Sequence, residues 1–206
     1  MKRFLGCQHE KKIYSPKSKE KAKTMSNLEQ SSLILTLALA LKANGSWAGE
    51  THVQKGGYFL NNLLKVPTGV DFILYKHGPF SFELRELLTD MEANGFIKWN
   101  SFPPYGPSIS EGQLGGILRE KFSNLSEQYR PQIDFVSRHL GPCNVASLER
   151  LATALYVTEE GFIGPARVGR IVSLKPHVSV VLAEKAVEEF DQIRTQAVDQ
   201  GLIVAN

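Results

Sequence analysis

The run Leu33–Leu41, LILTLALAL, limits what this chain can fold into more than any other stretch, because Thr36 alone interrupts it with a polar side chain. It is well short of the ~18 apolar residues expected of a membrane-spanning helix. A segment apolar on nearly all sides instead belongs inside a protein core, as a helix buried on most of its faces. Ser26 is placed to cap that helix, and Asn44-Gly45 to end it.

Around this helix the apolar periodicity predicts further elements. A second helix starts at Thr51, in THVQKGGYFLNNLLK, with Val53, Gly56, Gly57, Leu60, Leu63 and Leu64 on one face. Two glycines inside a helix cost about 1 kcal/mol each relative to alanine, so they imply close packing against another backbone, that of the first helix. Val70–Tyr75 reads as a strand, and Ser81 caps the next helix. That helix buries Leu84, Leu87, Leu88 and Met91 and turns Glu83, Arg85, Glu86, Asp90 and Glu92 outward, until Asn94-Gly95 stops it. Phe96–Trp99 reads as a strand, residues 101–107 as a turn, and Tyr105–Ser110 as the returning strand. Helix, strand, turn and strand after a two-helix unit is the order of a winged helix. Later helices carry Tyr129, Ile133, Val136 and Leu140, then Leu148, Leu151, Ala152, Leu155 and Tyr156, and last Leu182, Ala183, Ala186, Val187, Phe190 and Ile193. The fold expected is α+β and mainly helical. It has one domain over residues 26–206, with a small winged-helix-like strand–helix–strand element, behind a basic tail over residues 1–25.

Charge is unevenly placed. Residues 1–24 hold eight of the 24 Lys and Arg and two of the 21 Asp and Glu, a charge of +6. The remainder holds 16 basic and 19 acidic groups, a charge of −3, so the basicity belongs to the tail. That tail has too little apolar periodicity to bury surface and reads as disordered. It is also too polar for a signal peptide. A basic arm for nucleic acid or an acidic partner is one reading; a solvated end, or an overlong start before Met25, is the one preferred. The two cysteines, Cys7 and Cys143, make no disulfide framework, which suits a reducing cytoplasm.

Catalytic patterns are absent. There is no phosphate loop, no dinucleotide fingerprint, no nucleophile elbow and no paired metal-ligand spacing. Cys143 and His139 are four residues apart, but Gly141-Pro142 breaks any helix between them, and a half-buried cysteine near a helix end is the preferred reading. His52, His77, His139 and His177 are scattered singles, so no metal or other cofactor is expected. These observations point away from an enzyme.

The stretch YKHGPFSFELRELL (Tyr75–Leu88) reads as a joint. Gly78 allows a sharp change of direction, Pro79 sets its own φ and keeps Gly78 out of helical geometry, and Ser81 satisfies amides at the helix start. His77 has no duty in such a turn; it reads as a surface or packing residue, or as a contact to a partner or ligand beside a helix N-terminus.

Val53-Gln54-Lys55, Tyr58-Phe59-Leu60, an apolar strand, YKHGPFSFEL and LLTDMEANGFI, in that order, resemble the YwgA-like proteins. More distantly they resemble the Panacea-domain antitoxins of the phage-associated SocA and GepA type. The family pattern is an LQK…Y helix, a YGPYS..L joint, then L…G.I, and LERLATALYV (Leu148–Val157) is similar to a later family segment. The resemblance is strongest over residues 33–100. His77 stands where the family has an aromatic residue, and Gly56-Gly57 replace bulkier ones. The resemblance implies a cytoplasmic, non-catalytic protein of bacteria and their phages, one that binds toxins directly or acts as an adaptor for proteolysis. The reading is a protein-interaction module whose partner meets Gln54, Lys55, Tyr75, His77 and Phe80. A winged-helix DNA-binding regulator is the alternative, with nucleic acid the second choice of partner and no membrane partner, and an unrecognised hydrolase or nuclease comes third.

Overall fold

The computed structural model describes residues 25–103 and 105–204, so the basic tail and Cys7 lie outside the described residues. Helix α1 (Asn27–Ala43) opens with a capping box: the Ser26 hydroxyl accepts from Glu29 N, and the Glu29 carboxylate accepts from Ser26 N at 2.8 Å. From Gln30 to Leu41 most of its residues are buried, including Ser31 and Ser32 among the leucines. The apolar run is thus the central helix, as its composition requires.

Helix α2 (Glu50–Tyr58) continues into one π-helical segment, Phe59–Leu63. Its two glycines do bring neighbours close. A Cβ at Gly56 would lie 3.2 Å from Leu37 Cδ2 and Leu41 Cδ1, and one at Gly57 would lie 3.2 Å from Leu84 Cδ2. The close neighbours are therefore side chains, of α1 and of Leu84 from a later helix, where sequence reasoning anticipated backbone.

The strand expected over Val70–Tyr75 is shorter. Only β1 (Ile73–Tyr75) is extended, and it pairs antiparallel with β2 (Gly78–Phe80) in a hairpin that the periodicity did not reveal. Helix α3 (Phe82–Ala93) follows, with Leu84, Leu87, Leu88 and Met91 buried. The hairpin of β3 (Ile97–Phe102) and β4 (Tyr105–Glu111) comes next, Trp99 opposite Ile109. It is tied to the α1–α2 connection by Ile109 N donating to Ala48 O at 2.9 Å.

Helices α4 (Gly115–Lys121), α5 (Ser123–Gln128) and α6 (Arg130–Leu140) cover α1. Helix α7 (Val145–Glu159) packs on α2, on α8 (Ala166–Leu174) and on α9 (Val180–Asp199). Tyr58 Oη donates to Glu159 Oε2 at 2.7 Å between α2 and α7, and Arg167 pairs bidentately with Asp191 between α8 and α9. The predicted core faces of these helices are buried, except that Tyr129 and Tyr156 are half-buried against the core and Leu182 is not part of it. Leu182 is 39 % exposed, because it lies in the first turn of α9, outside the contact with α7. The described residues form a mainly helical α+β fold with two small antiparallel sheets. Among them no helix is long and apolar enough to cross a membrane.

The segment that follows β4 shows how tightly the second hairpin is closed. Gly112 N donates to Phe96 O and Leu114 N to Gly95 O, both at 2.9 Å. A Cβ at Gly112 would stand 2.3 Å from Gly95 O and 3.0 Å from Ile97 N, and this backbone cannot yield as a flexible side chain would. At Gly116, inside α4, a Cβ would meet Glu111 Oε1 at 4.0 Å and nothing nearer. Gly112→Ala is therefore expected to lower stability by about 2 kcal/mol or more, whereas Gly116→Ala raises it by up to about 1 kcal/mol. Urea unfolding of the two variants checks the opposite signs.

Candidate functional site

The β1–β2 hairpin turns through Lys76-His77, and Gly78 closes it at φ +87°, a left-handed conformation suited to glycine. A two-stranded hairpin is marginal by itself in water, and this one is braced from beneath. Gln54 lies 1 % exposed on α2. Its Nε2 donates to Ser81 O and its Oε1 accepts from Ser81 N, both at 2.9 Å. Lys55, 2 % exposed, donates from Nζ to Pro79 O at 2.9 Å. Lys175, after α8, donates to Tyr75 O at 3.3 Å and to Lys76 O. Ser81 in turn caps α3 by accepting from Leu84 N at 3.1 Å, as its position predicted.

The ammonium groups require a counter-charge, and Glu149 on α7 supplies it. Its Oε1 lies 3.0 Å from Lys175 Nζ, an ion pair without a well-directed hydrogen bond. Two imidazoles flank the carboxylate from solvent: His77 Nδ1 is 3.8 Å from Oε2, and His177 Nε2 is 3.9 Å from Oε1. Burial pushes the Lys55 amine down to about 8, with Glu149 opposing that change and Lys175 adding to it.

The outer face of the hairpin is aromatic. Ile73 and Tyr75 point the same way along β1, and Phe80 is the cross-strand partner of Ile73. Tyr75 is 53 % and Phe82 is 45 % exposed. The rings of Tyr75, Phe80 and Phe82 touch pairwise, with centroids 5.8, 5.5 and 5.1 Å apart. The Arg85 guanidinium lies 4.7 Å from the Phe80 ring centre and holds Glu50 Oε1 at 2.8 Å.

All five residues singled out from the sequence thus surround one hollow of about 130 Å³. They play different parts in it. Gln54 and Lys55 hold the hairpin from inside, Tyr75 and Phe80 form its face, and His77 sits at the tip opposite Glu149. Sequence reasoning passed over Phe82 and Arg85, although both lie within Tyr75–Leu88: Phe82 is not singled out by it, and Arg85 reads as part of a solvated face. Glu149, Lys175 and His177 carry no local signal, since they reach the hairpin from the far end of the chain.

A larger cleft, about 760 Å³, lies across Glu50 and Thr51 from this hollow and is walled by Trp47, Trp99, Pro107 and Pro142. At its edge Cys143 keeps its proton: Sγ donates to His139 O at 3.3 Å, and burial raises the thiol to about 11. His52 is also buried there. Its Nε2 donates to Cys143 O at 2.9 Å, and burial lowers the imidazole below its ordinary range, so the ring is neutral.

Compared with known proteins, the chain matches no family model and no curated protein.

Lys55 provides a test with a definite sign. Folded, it gives up its proton near pH 8; unfolded, near 10.5. Between these values the unfolded chain binds more protons, so this group makes stability rise with pH, by up to about 1 kcal/mol from pH 8 to pH 9. Above pH 9 the raised Cys143 thiol opposes it, and above pH 10 so does the raised Tyr58 phenol. Thermal melts of the protein and of Lys55→Met across pH 7.5 to 9 are expected to diverge. The variant lacks the rise, and parallel curves would exclude a lowered Lys55 titration in the folded protein.

Proposed function

We propose that this chain is a non-catalytic, cytoplasmic protein-interaction module, antitoxin- or adaptor-like, whose partner protein docks on the outer face of the β1–β2 hairpin. The observation that carries this is the exposed ring cluster of Tyr75, Phe80 and Phe82 with Arg85 stacked on it. Large aromatic groups clustered at a surface leave apolar area in water, and such patches mark docking sites. Tyr and Arg are among the residues that dominate interface energies. The brace formed by Gln54, Lys55 and Lys175 supports the reading as well. It holds the hairpin in place before binding, so little further ordering is needed when a partner arrives. A low cysteine count accords with the cytoplasm.

One observation favours a second reading, a winged-helix DNA-binding regulator: α3 is followed directly by the β3–β4 hairpin. Against it, α3 exposes Glu83, Glu86, Asp90 and Glu92, which repel phosphate.

Affinity capture from the source cell's lysate, with and without nuclease, separates the two. The expected result is one stoichiometric protein that survives nuclease. Its affinity for the paired variant Tyr75→Ala with Phe82→Ala is expected to fall by about 2 kcal/mol or more, while melting changes little because both side chains are half exposed. A partner bound equally by that variant would remove the hairpin face from consideration. Partners lost with nuclease, together with a steep salt dependence of DNA binding, would favour the regulator.

A further inference from the structure

We propose that the cleft between Trp47 and Trp99 is a binding site for an uncharged planar heteroaromatic molecule bearing an N–H donor. Its volume, about 760 Å³, falls in the range of small-molecule sites. The chain has two tryptophans in 206 residues, and both line this one cleft. Flat apolar walls of this kind favour a flat ring, which gains by stacking on an indole.

The walls are set before any ligand arrives. Trp47 Nε1 donates to Gly106 O at 2.7 Å, which fixes the indole although the residue is partly exposed. The next residue, Ala48, is fully buried at φ +51°, a left-handed conformation rare for alanine. Gly49 then passes so close to the start of β4 that a Cβ there would meet Pro107 O at 3.3 Å. Local strain next to a cleft is the pattern of a site whose geometry is held for a purpose.

Charge and hydrogen bonding select the ligand. Among the described residues no lysine or arginine lines the cleft, so it offers no cationic side chain to a phosphate or carboxylate. Its one acidic side chain, Glu50, is already engaged by Arg85. Cys143 remains a neutral thiol. The polar lining is Thr51, Asn144 and His52, and with its Nε2–H committed to Cys143 O and burial disfavouring its protonation, His52 carries its remaining lone pair on Nδ1. A ring N–H is the group that complements it.

The two tryptophans make the test direct. The full chain is titrated with benzimidazole at mildly alkaline pH, where it is uncharged, and tryptophan emission is followed. Parallel titrations use 1-methylbenzimidazole, which lacks the N–H, and benzoate and tetramethylammonium as the two charged arms. A saturable change with benzimidazole is expected, roughly tenfold weaker with the methylated compound and weaker still with either ion. Val145→Phe enters the cleft from a position 53 % exposed and keeps both reporters, and it is expected to abolish the response with the far-ultraviolet circular dichroism unchanged. Trp47→Leu, followed by ligand-observed NMR, is expected to weaken binding roughly tenfold by removing one wall. The proposal is overturned by no saturable response to benzimidazole, by a response that survives Val145→Phe, by equal binding of the methylated compound, or by tighter binding of either ion.

Discussion

A helix that is apolar on nearly every face has to be enclosed, and α1 imposes that demand on the whole chain. Its neighbours are α2, α3, β4 and the run from α4 to α6, which together leave little of it in contact with water. Two devices make the enclosure tight. Gly56 lets α2 approach Leu37 and Leu41, and Gly141, where a Cβ would fall 2.5 Å from Asn44 O, lets the end of α6 approach the end of α1. Among the polar residues inside this layer Ser31 is satisfied locally, donating to Asn27 O at 2.7 Å, whereas the buried Ser32 hydroxyl has no partner among the described residues. With α1 sealed, the faces of α2 and α7 that turn away from it are left to build the site.

That site rests on an uncommon choice, the burial of two lysines and a glutamate beneath a short hairpin. Burying an unpaired ammonium costs several kcal/mol, and the cost here is offset by carbonyl acceptors and by Glu149. The carbonyls are those of Tyr75, Lys76 and Pro79. Ammonium groups are well suited to this, since each offers three donors that converge on oxygens from different directions. The arrangement ties α2, α7 and the segment after α8 to one turn. The aromatic face above it stands on a scaffold held at three points, unlike a free loop.

Much of this was legible in the chain. Capping residues located the starts of α1 and α3, because Ser26 and Ser81 act on amides three residues away; Asn144 and Ser179 cap α7 and α9 in the same way, and the sequence reading did not use them. Periodicity named nearly all of the buried face of each long helix. The joint at Tyr75–Leu88 was recognisable from Gly78, Pro79 and Ser81, and the five residues picked around it do converge on one hollow. Their division of labour was not legible, because a lysine or glutamine in a helical pattern looks the same whether it faces solvent or an inner carbonyl. The hairpin was missed for a similar reason. Three residues per strand are too few to show alternation, and the bonds that brace the hairpin come from side chains of other elements.

By itself, then, the sequence determined the elements and their buried faces, since caps, turns and amphipathic spacing act over a few residues. Only the tertiary structure decided that Glu149 and Lys175 complete the hairpin's support. It likewise brought Trp47 and Trp99, far apart along the chain, to the lining of one cleft. Both outcomes depend on how helices pack around α1, and the charge and shape matching that results exists only between segments that no local pattern connects.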